Sequence, residues 1–211
     1  MNKDQQLRFN LCQSFQNVEE AKKAYNFILE GKEVIPSADD NGIYLIYDNG
    51  HYEEFNGFNF KDNIKSVGVV YDGHPFAVAL KDLPKQYALV RNTDECEKDS
   101  HLYKGEVDSI FDWDAEAHTK HIVEAGTDIS LKDGEFIPTA AMFVAMYRMR
   151  EQLNKALKYA GGEPMKTDDW YWSSSESYAT NSWVMNFGGG NLNGNGKYNS
   201  YYVRPCTAFN L

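Results

Sequence analysis

Cysteine is scarce. Cys12, Cys96 and Cys206 are the only three, far apart and with no CxxC spacing. An odd number so placed makes neither a disulfide framework nor a zinc site, and three reduced, partly buried thiols are expected. Long apolar runs are missing as well. The most apolar stretch, near Ala140 to Tyr147, falls well short of a membrane span. Met1 to Gln16 is polar and lacks the apolar centre of a secretory signal, so synthesis in a reducing cytosol is expected. Basic residues are in deficit, with 21 Lys and Arg against 31 Asp and Glu, a net charge of -10. That balance argues against nucleic acid or an anionic membrane as partner, because both select for Lys and Arg.

Catalytic signatures are also missing. A phosphate loop needs GxxxxGK[ST]; Gly196-Lys197 is present, but Asn191 and Tyr198 occupy the flanking positions that require Gly and Ser or Thr. There is no G-x-S-x-G elbow to raise a serine nucleophile. His118, His121 and Glu124 share a helical spacing that could present metal ligands, yet no HExxH accompanies them. Asp112, Asp114 and Glu116 nearby make a solvated helix face the plainer reading. His51 and His74 adjoin turn residues and read as surface groups. No catalytic residue, cofactor or metal is expected.

What is present suits a globular chain. Of 211 residues, 42% are apolar and 14% aromatic, enough for one core without staples. Asn17 can cap a helix over Val18 to Glu30 that stops at Gly31. Gly42 to Tyr47 reads as a strand, Asp48-Asn49-Gly50 as a hairpin turn and His51 to Phe55 as the return. Ser66 to Tyr71 and Phe76 to Leu80 repeat the pattern around Asp72-Gly73, and Gln86 to Arg91 reads as a further short strand. Helices are expected over Asp112 to Ala125 and, after Pro138, over Thr139 to Ala160. Tyr171 to Ser175, Trp183 to Phe187 and a closing Tyr202 to Cys206 read as strands. Hairpins without βαβ crossovers indicate an α+β domain with an antiparallel sheet.

The segment from Ser177 to Tyr202 stands apart. Of its 26 residues, six are Asn, five Gly, four Tyr and three Ser, and Lys197 is the only charge. Paratopes use the same four residue types: Tyr offers large contact area with few rotors to freeze, and Ser, Gly and Asn offer adaptable hydrogen bonding. Trp183, Met185, Phe187, Leu192 and Val203 are interleaved as anchors, which a disordered tail would not keep. Two readings fit the composition: a rigid frame with an uncharged, Tyr-studded outer surface, or a loop rich in turns.

Several of these stretches resemble a known family. Tyr171-Trp172-Ser173-Ser174-Ser175-Glu176, Trp183 through Asn186-Phe187, the Asn/Gly tract, Lys197 and Val203-Arg204-Pro205 are similar to the C-terminal region of variable proteins of diversity-generating retroelements, found in Bacteroides-type bacteria and their phages. Ser66 to Val70 with Phe76 to Asp82 resembles the family's β-hairpin, and Phe136 to Thr139 with the helix ending in Ala160-Gly161-Gly162 resembles its second helix. The resemblance implies a C-type-lectin-like fold with antiparallel hairpins, two main helices and a short N-terminal helix. It places a helical extension at 1–41, a ligand-binding domain at 42–211 and a variable segment at about 177–202.

In that family, adenines of a template repeat are copied with errors into the end of the gene. Asn codons are thereby rewritten to Tyr, Ser, Gly, Thr, Ala, Asp, His or Val. Carried over by position, the resemblance implies that Tyr178, Asn181, Ser182, Val184, Asn186, Gly188, Gly189, Asn193, Asn195, Tyr198, Asn199 and Tyr201 face the ligand. Trp172, Trp183, Phe187, Val203 and Arg204 would be scaffold, while Val184 is compatible with burial as well as exposure. Glu163-Pro164-Met165 departs from the calcium and sugar motif of C-type lectins, and no Trp-Asn-Asp is present, so calcium-free binding is implied. The ligand implied is a macromolecule, a protein or a cell surface, and the family's setting includes the virion; oligomers are compatible. Two other readings remain: an invariant adhesive subunit of the same fold, and an enzyme of the formylglycine-generating branch relying on Cys206.

Overall fold

A computed structural model describes residues 41–59, 61–91, 103 and 105–210. The helix expected over Val18 to Glu30, the extension at 1–41 up to its last residue, Cys12 and Cys96 lie outside the described residues.

The first sheet grows from two hairpins. β1 (Gly42–Tyr47) returns as β2 (Tyr52–Glu54), and β3 (Ile64–Tyr71) returns as β4 (His74–Ala79). The second turn is tight because Asp72 and Gly73 both take positive φ, 50° and 77°, the backbone that matches strand twist in a two-residue hairpin loop. β5 (Glu135–Phe136) and β9 (Cys206–Ala208) complete six antiparallel strands in the order β2-β1-β3-β4-β9-β5. The chain's last strand therefore sits inside this sheet. The second sheet has three antiparallel strands: β6 (Trp170–Tyr178), β7 (Asn181–Asn186) and β8 (Asn191–Gly196).

Four helices lie among the described residues: α1 (Glu106–Ile110), α2 (Ala115–Ala125), α3 (Ala140–Arg148) and α4 (Arg150–Tyr159). Asp114 caps α2 by accepting from Ala117 N–H, and Thr139 caps α3 by accepting from Met142 N–H. The expected single helix over Thr139 to Ala160 is thus two, interrupted at Met149. Arg150 accompanies the interruption: its guanidinium donates to the Tyr147 carbonyl at 3.0 Å and lies over the Tyr147 ring.

Other expectations shift. Gln86 to Arg91 forms no strand, only a bridge between Tyr87 and Tyr201. The closing strand begins at Cys206, although Tyr202 bridges to Tyr171. β5, β8 and α1 were not expected from periodicity.

The core has two parts, one on each face of the second sheet. Leu45, Val67, Phe76, Phe143, Met146, Leu157, Tyr171, Met185 and Phe187 belong to the larger, which joins the first sheet to α3 and α4. Leu89, Ile122, Ile137, Trp172, Val184 and Val203 make the other. The architecture is mixed α+β with antiparallel sheets and few helices. No helix among the described residues is long and apolar enough to cross a membrane.

Candidate ligand-binding surface

β7 is the middle strand of its sheet, and pairing decides which way its side chains face. Residues directly opposite in an antiparallel pair point to the same side. Ser182 pairs with Asn195 and Val184 with both Asn193 and Trp172, so these share one side. Trp183 pairs with Gly194 and Met185 with Leu192 and Tyr171, on the other. Apolar clusters cover both sides, so the middle strand has no outward face.

This corrects part of the expected site. Ser182 and Val184 are buried, 0% and 1% exposed, against Trp172 and its cluster rather than toward a ligand. Asn186 is half-buried and fully engaged. Its amide donates to the Thr167 and Asp169 carbonyls, and its oxygen accepts from the Gly188 and Gly189 N–H groups at 3.0 Å each. Gly188 is exposed, but a Cβ added there would stand 2.2 Å from the Thr167 carbonyl oxygen, so this position is not freely exchangeable. At Gly189 the nearest atom is the Asn191 side-chain nitrogen, which can move aside. Tyr201 is half-buried, its ring edge-on to Trp172 at 4.9 Å.

The remaining positions lie on the turns and the edge strand. Tyr178 and Tyr198 are 61% and 57% exposed. They meet the same end of the sheet, because Tyr178 pairs with Asn181 and Asn181 with Gly196. The Tyr198 ring lies where a Gly196 side chain would project, with Cε1 2.7 Å from that Cβ position, so glycine permits the ring to cover the backbone. Asn193 is exposed on β8, and Asn195 accepts from the Asn199 amide at 2.8 Å. Gly188 and Gly189 occupy the opposite turn, about 17 Å away along β7 at roughly 3.4 Å per residue. The expected residues therefore divide between two ends of the sheet.

Lys197, to which the sequence assigned no structural role, fixes the tyrosine end. Its ammonium pairs with the buried Glu176 carboxylate and donates to the Ala179 carbonyl at 2.7 Å. Its backbone N–H donates to the Thr180 carbonyl, and its carbonyl accepts from Leu89 N–H. One residue thus joins the β6–β7 turn, the end of β8 and the segment at Leu89. The scaffold expectation for Arg204 matches its burial: its guanidinium, 0% exposed, contacts Asp82 at 2.5 Å and the Ala79 and Glu163 carbonyls.

His118, considered as a metal ligand, is buried and not on a solvated face. His118 is 3% exposed, with Nε2 3.3 Å from Asp112 Oδ2. No group of three His, Cys, Asp or Glu among the described residues is arranged to hold a metal ion. Cys206 is buried and its thiol is pushed above the ordinary range, first by burial. A hollow of about 350 Å³ lies at the β1–β2 turn, lined by Tyr47, Asp48, Asn49, His51, Glu53, Asp62 and Asn63; no residue of the Asn/Gly/Tyr tract lines it.

Comparison with known proteins adds little. No family model matches the chain, and no curated protein matches it. A solved fimbrial protein from Bacteroides ovatus is similar over 81% of this chain, at 14% identity and a TM-score of 0.49. The chain spans about half that protein, 49% of its length.

Proposed function

We propose that this protein is a binding module, not an enzyme, of the retroelement-diversified kind with a C-type-lectin-like fold. The hairpin of β3 and β4, the helical run after Thr139 and the closing strand support the fold reading. The observation that carries the function is the tyrosine end. Tyr178 and Tyr198 stand in solvent on a backbone held from beneath by buried Lys197 and Glu176. Exposed aromatics on a fixed frame favour macromolecular contacts, because little side-chain freedom is lost on binding.

In this reading the ligand-facing set narrows to Tyr178, Asn181, Gly189, Asn193, Asn195, Tyr198 and Asn199, with Ser182, Val184, Asn186, Gly188 and Tyr201 kept for structure. Sequencing sibling copies of the gene tests it. Differences concentrated in the narrowed set, with a near-copy of the segment beside a reverse-transcriptase gene, are the expected result. An even scatter of differences, with no near-copy, would instead favour an invariant adhesive subunit.

A further inference from the structure

α1 is anchored toward the second sheet, and its opposite side faces solvent. Trp183 Nε1 donates to Ser109 Oγ at 2.9 Å, and Tyr103 meets Tyr178 edge-on with ring centroids 6.5 Å apart. Trp113, after the helix, stacks on His74 at 4.0 Å and fixes the link to α2. With Ser109 turned inward, Val107 and Phe111 stand outward, 67% and 71% exposed. They are four residues apart, the spacing that brings side chains together on one side of a helical turn. A single exposed apolar residue is ordinary, but a Val and Phe pair exposed together on one side of the turn makes a small patch.

The charge beside this pair is mostly acidic, bounded in sequence by Lys104 and Lys120. From Gly105 to Thr119 the chain carries Glu106, Asp108, Asp112, Asp114 and Glu116, and neither Lys nor Arg. Glu106, Asp108 and Glu116 are exposed and have no ion-pair partner among the described residues. We infer that this strip docks a segment of a partner protein in which Lys or Arg alternates with apolar side chains. The apolar pair supplies contact area, and the acidic rim selects and steers a cationic partner. A second copy of this chain suits the strip poorly. A two-fold pair would set the same acidic rims against each other, and the chain carries a net charge of -10. The inference goes beyond the display reading, because Val107 and Phe111 lie outside the C-terminal tract.

The test is calorimetric titration of the full chain with two short amphipathic peptides of matched apolar positions, one Lys/Leu and one Glu/Leu. The Lys/Leu peptide is expected to bind and the Glu/Leu peptide not to. The doubly substituted Val107→Ser, Phe111→Ser protein is expected to bind at least about tenfold more weakly. Phe58→Ser, which removes an equally exposed ring elsewhere, is expected to change nothing. Glu106→Gln with Asp108→Asn and Glu116→Gln is expected to flatten the salt dependence. Equal binding of both peptides overturns the proposal, as does an affinity within about twofold of the parent in the double variant. Sedimentation showing a dimer that the double variant abolishes would overturn it in favour of self-association. Loss of binding with Tyr198→Ser alone would overturn it while leaving the display reading intact.

Discussion

Lys197 and Glu176 form an ion pair inside the protein, 5% and 3% exposed, at the point where the β6–β7 turn meets the end of β8. Such a pair adds little net stability over an apolar replacement, because desolvation offsets attraction, but removing one partner strands a buried charge. Lys197→Met is therefore expected to destabilise the fold by about 3–5 kcal/mol in urea unfolding. The double substitution Lys197→Met, Glu176→Leu should recover much of that loss. A single variant as stable as the parent would mean that the pair does not hold the tyrosine end.

Arg204 makes a second buried tie. Its planar guanidinium reaches Asp82 and the carbonyls of Ala79 and Glu163 together, while Tyr171 Oη donates to the same Asp82 carboxylate at 3.1 Å. A lysine has the charge but not the fork, so Arg204→Lys leaves carbonyls unpaired. A loss of about 2 kcal/mol or more is expected from thermal or urea unfolding. Equal stability of the two proteins would show that charge alone suffices there.

Local chemistry made much of the frame legible. β1 could be bounded because Gly42 to Tyr47 is apolar and ends at a turn-rich Asp48-Asn49-Gly50, and α2 ends at Gly126 as its sequence requires. The interruption at Met149 was hidden, since no Pro or Gly marks it and Arg150 acts through its side chain on Tyr147. β8 was hidden because Asn and Gly read as turn residues; pairing with β7, not propensity, makes Asn191 to Gly196 a strand.

The candidate surface was only half legible, for a related reason. Alternation along β7 correctly separates Trp183 and Met185 from Ser182 and Val184. It cannot reveal that both sides are covered, because the second cover comes from Leu89, Ile137 and Val203, far away in sequence. Lys197 looked like a lone charge in a polar tract, while its partner Glu176 sits in a strand of serines that gave no sign of burial. α1 is too short for a periodic signal, and Val107 and Phe111 stay exposed.

Three weakly acidic groups set the response to alkali, and one is Tyr47, raised first by burial and then by its hydrogen bond to Glu53. Burial, with the Asp82 charge next, pushes Tyr171 above its usual 10.0, and burial pushes Cys206 above its usual 9.0. The folded state thus holds these protons more tightly than the unfolded chain. Their contribution to stability is fully present below the unfolded values and falls as pH rises past them toward the folded ones. Stability should decline from about pH 9 upward. In a Cys12→Ser, Cys96→Ser protein, Cys206 should resist a thiol reagent at neutral pH and react only on unfolding. Rapid labelling of the native protein would contradict the burial of this thiol.

The turn between β7 and β8 separates exchangeable positions from fixed ones in a way that stability can read. Gly188→Ala drives a methyl into the Thr167 carbonyl, so a loss of about 1–3 kcal/mol is expected. Gly189→Ala meets only the movable Asn191 amide, so a change within about 0.5 kcal/mol is expected. The same contrast holds within the sheet. Val184→Tyr must displace Trp172 and its neighbours and should cost about as much as Gly188→Ala, whereas Tyr198→Ser on the exposed end should change unfolding by no more than about 0.5 kcal/mol. A surface that is rewritten without loss of fold requires this ordering. Equal tolerance at Val184 and Tyr198 would show that burial does not limit which positions can vary, and equal intolerance would show that the tyrosine end supports the core.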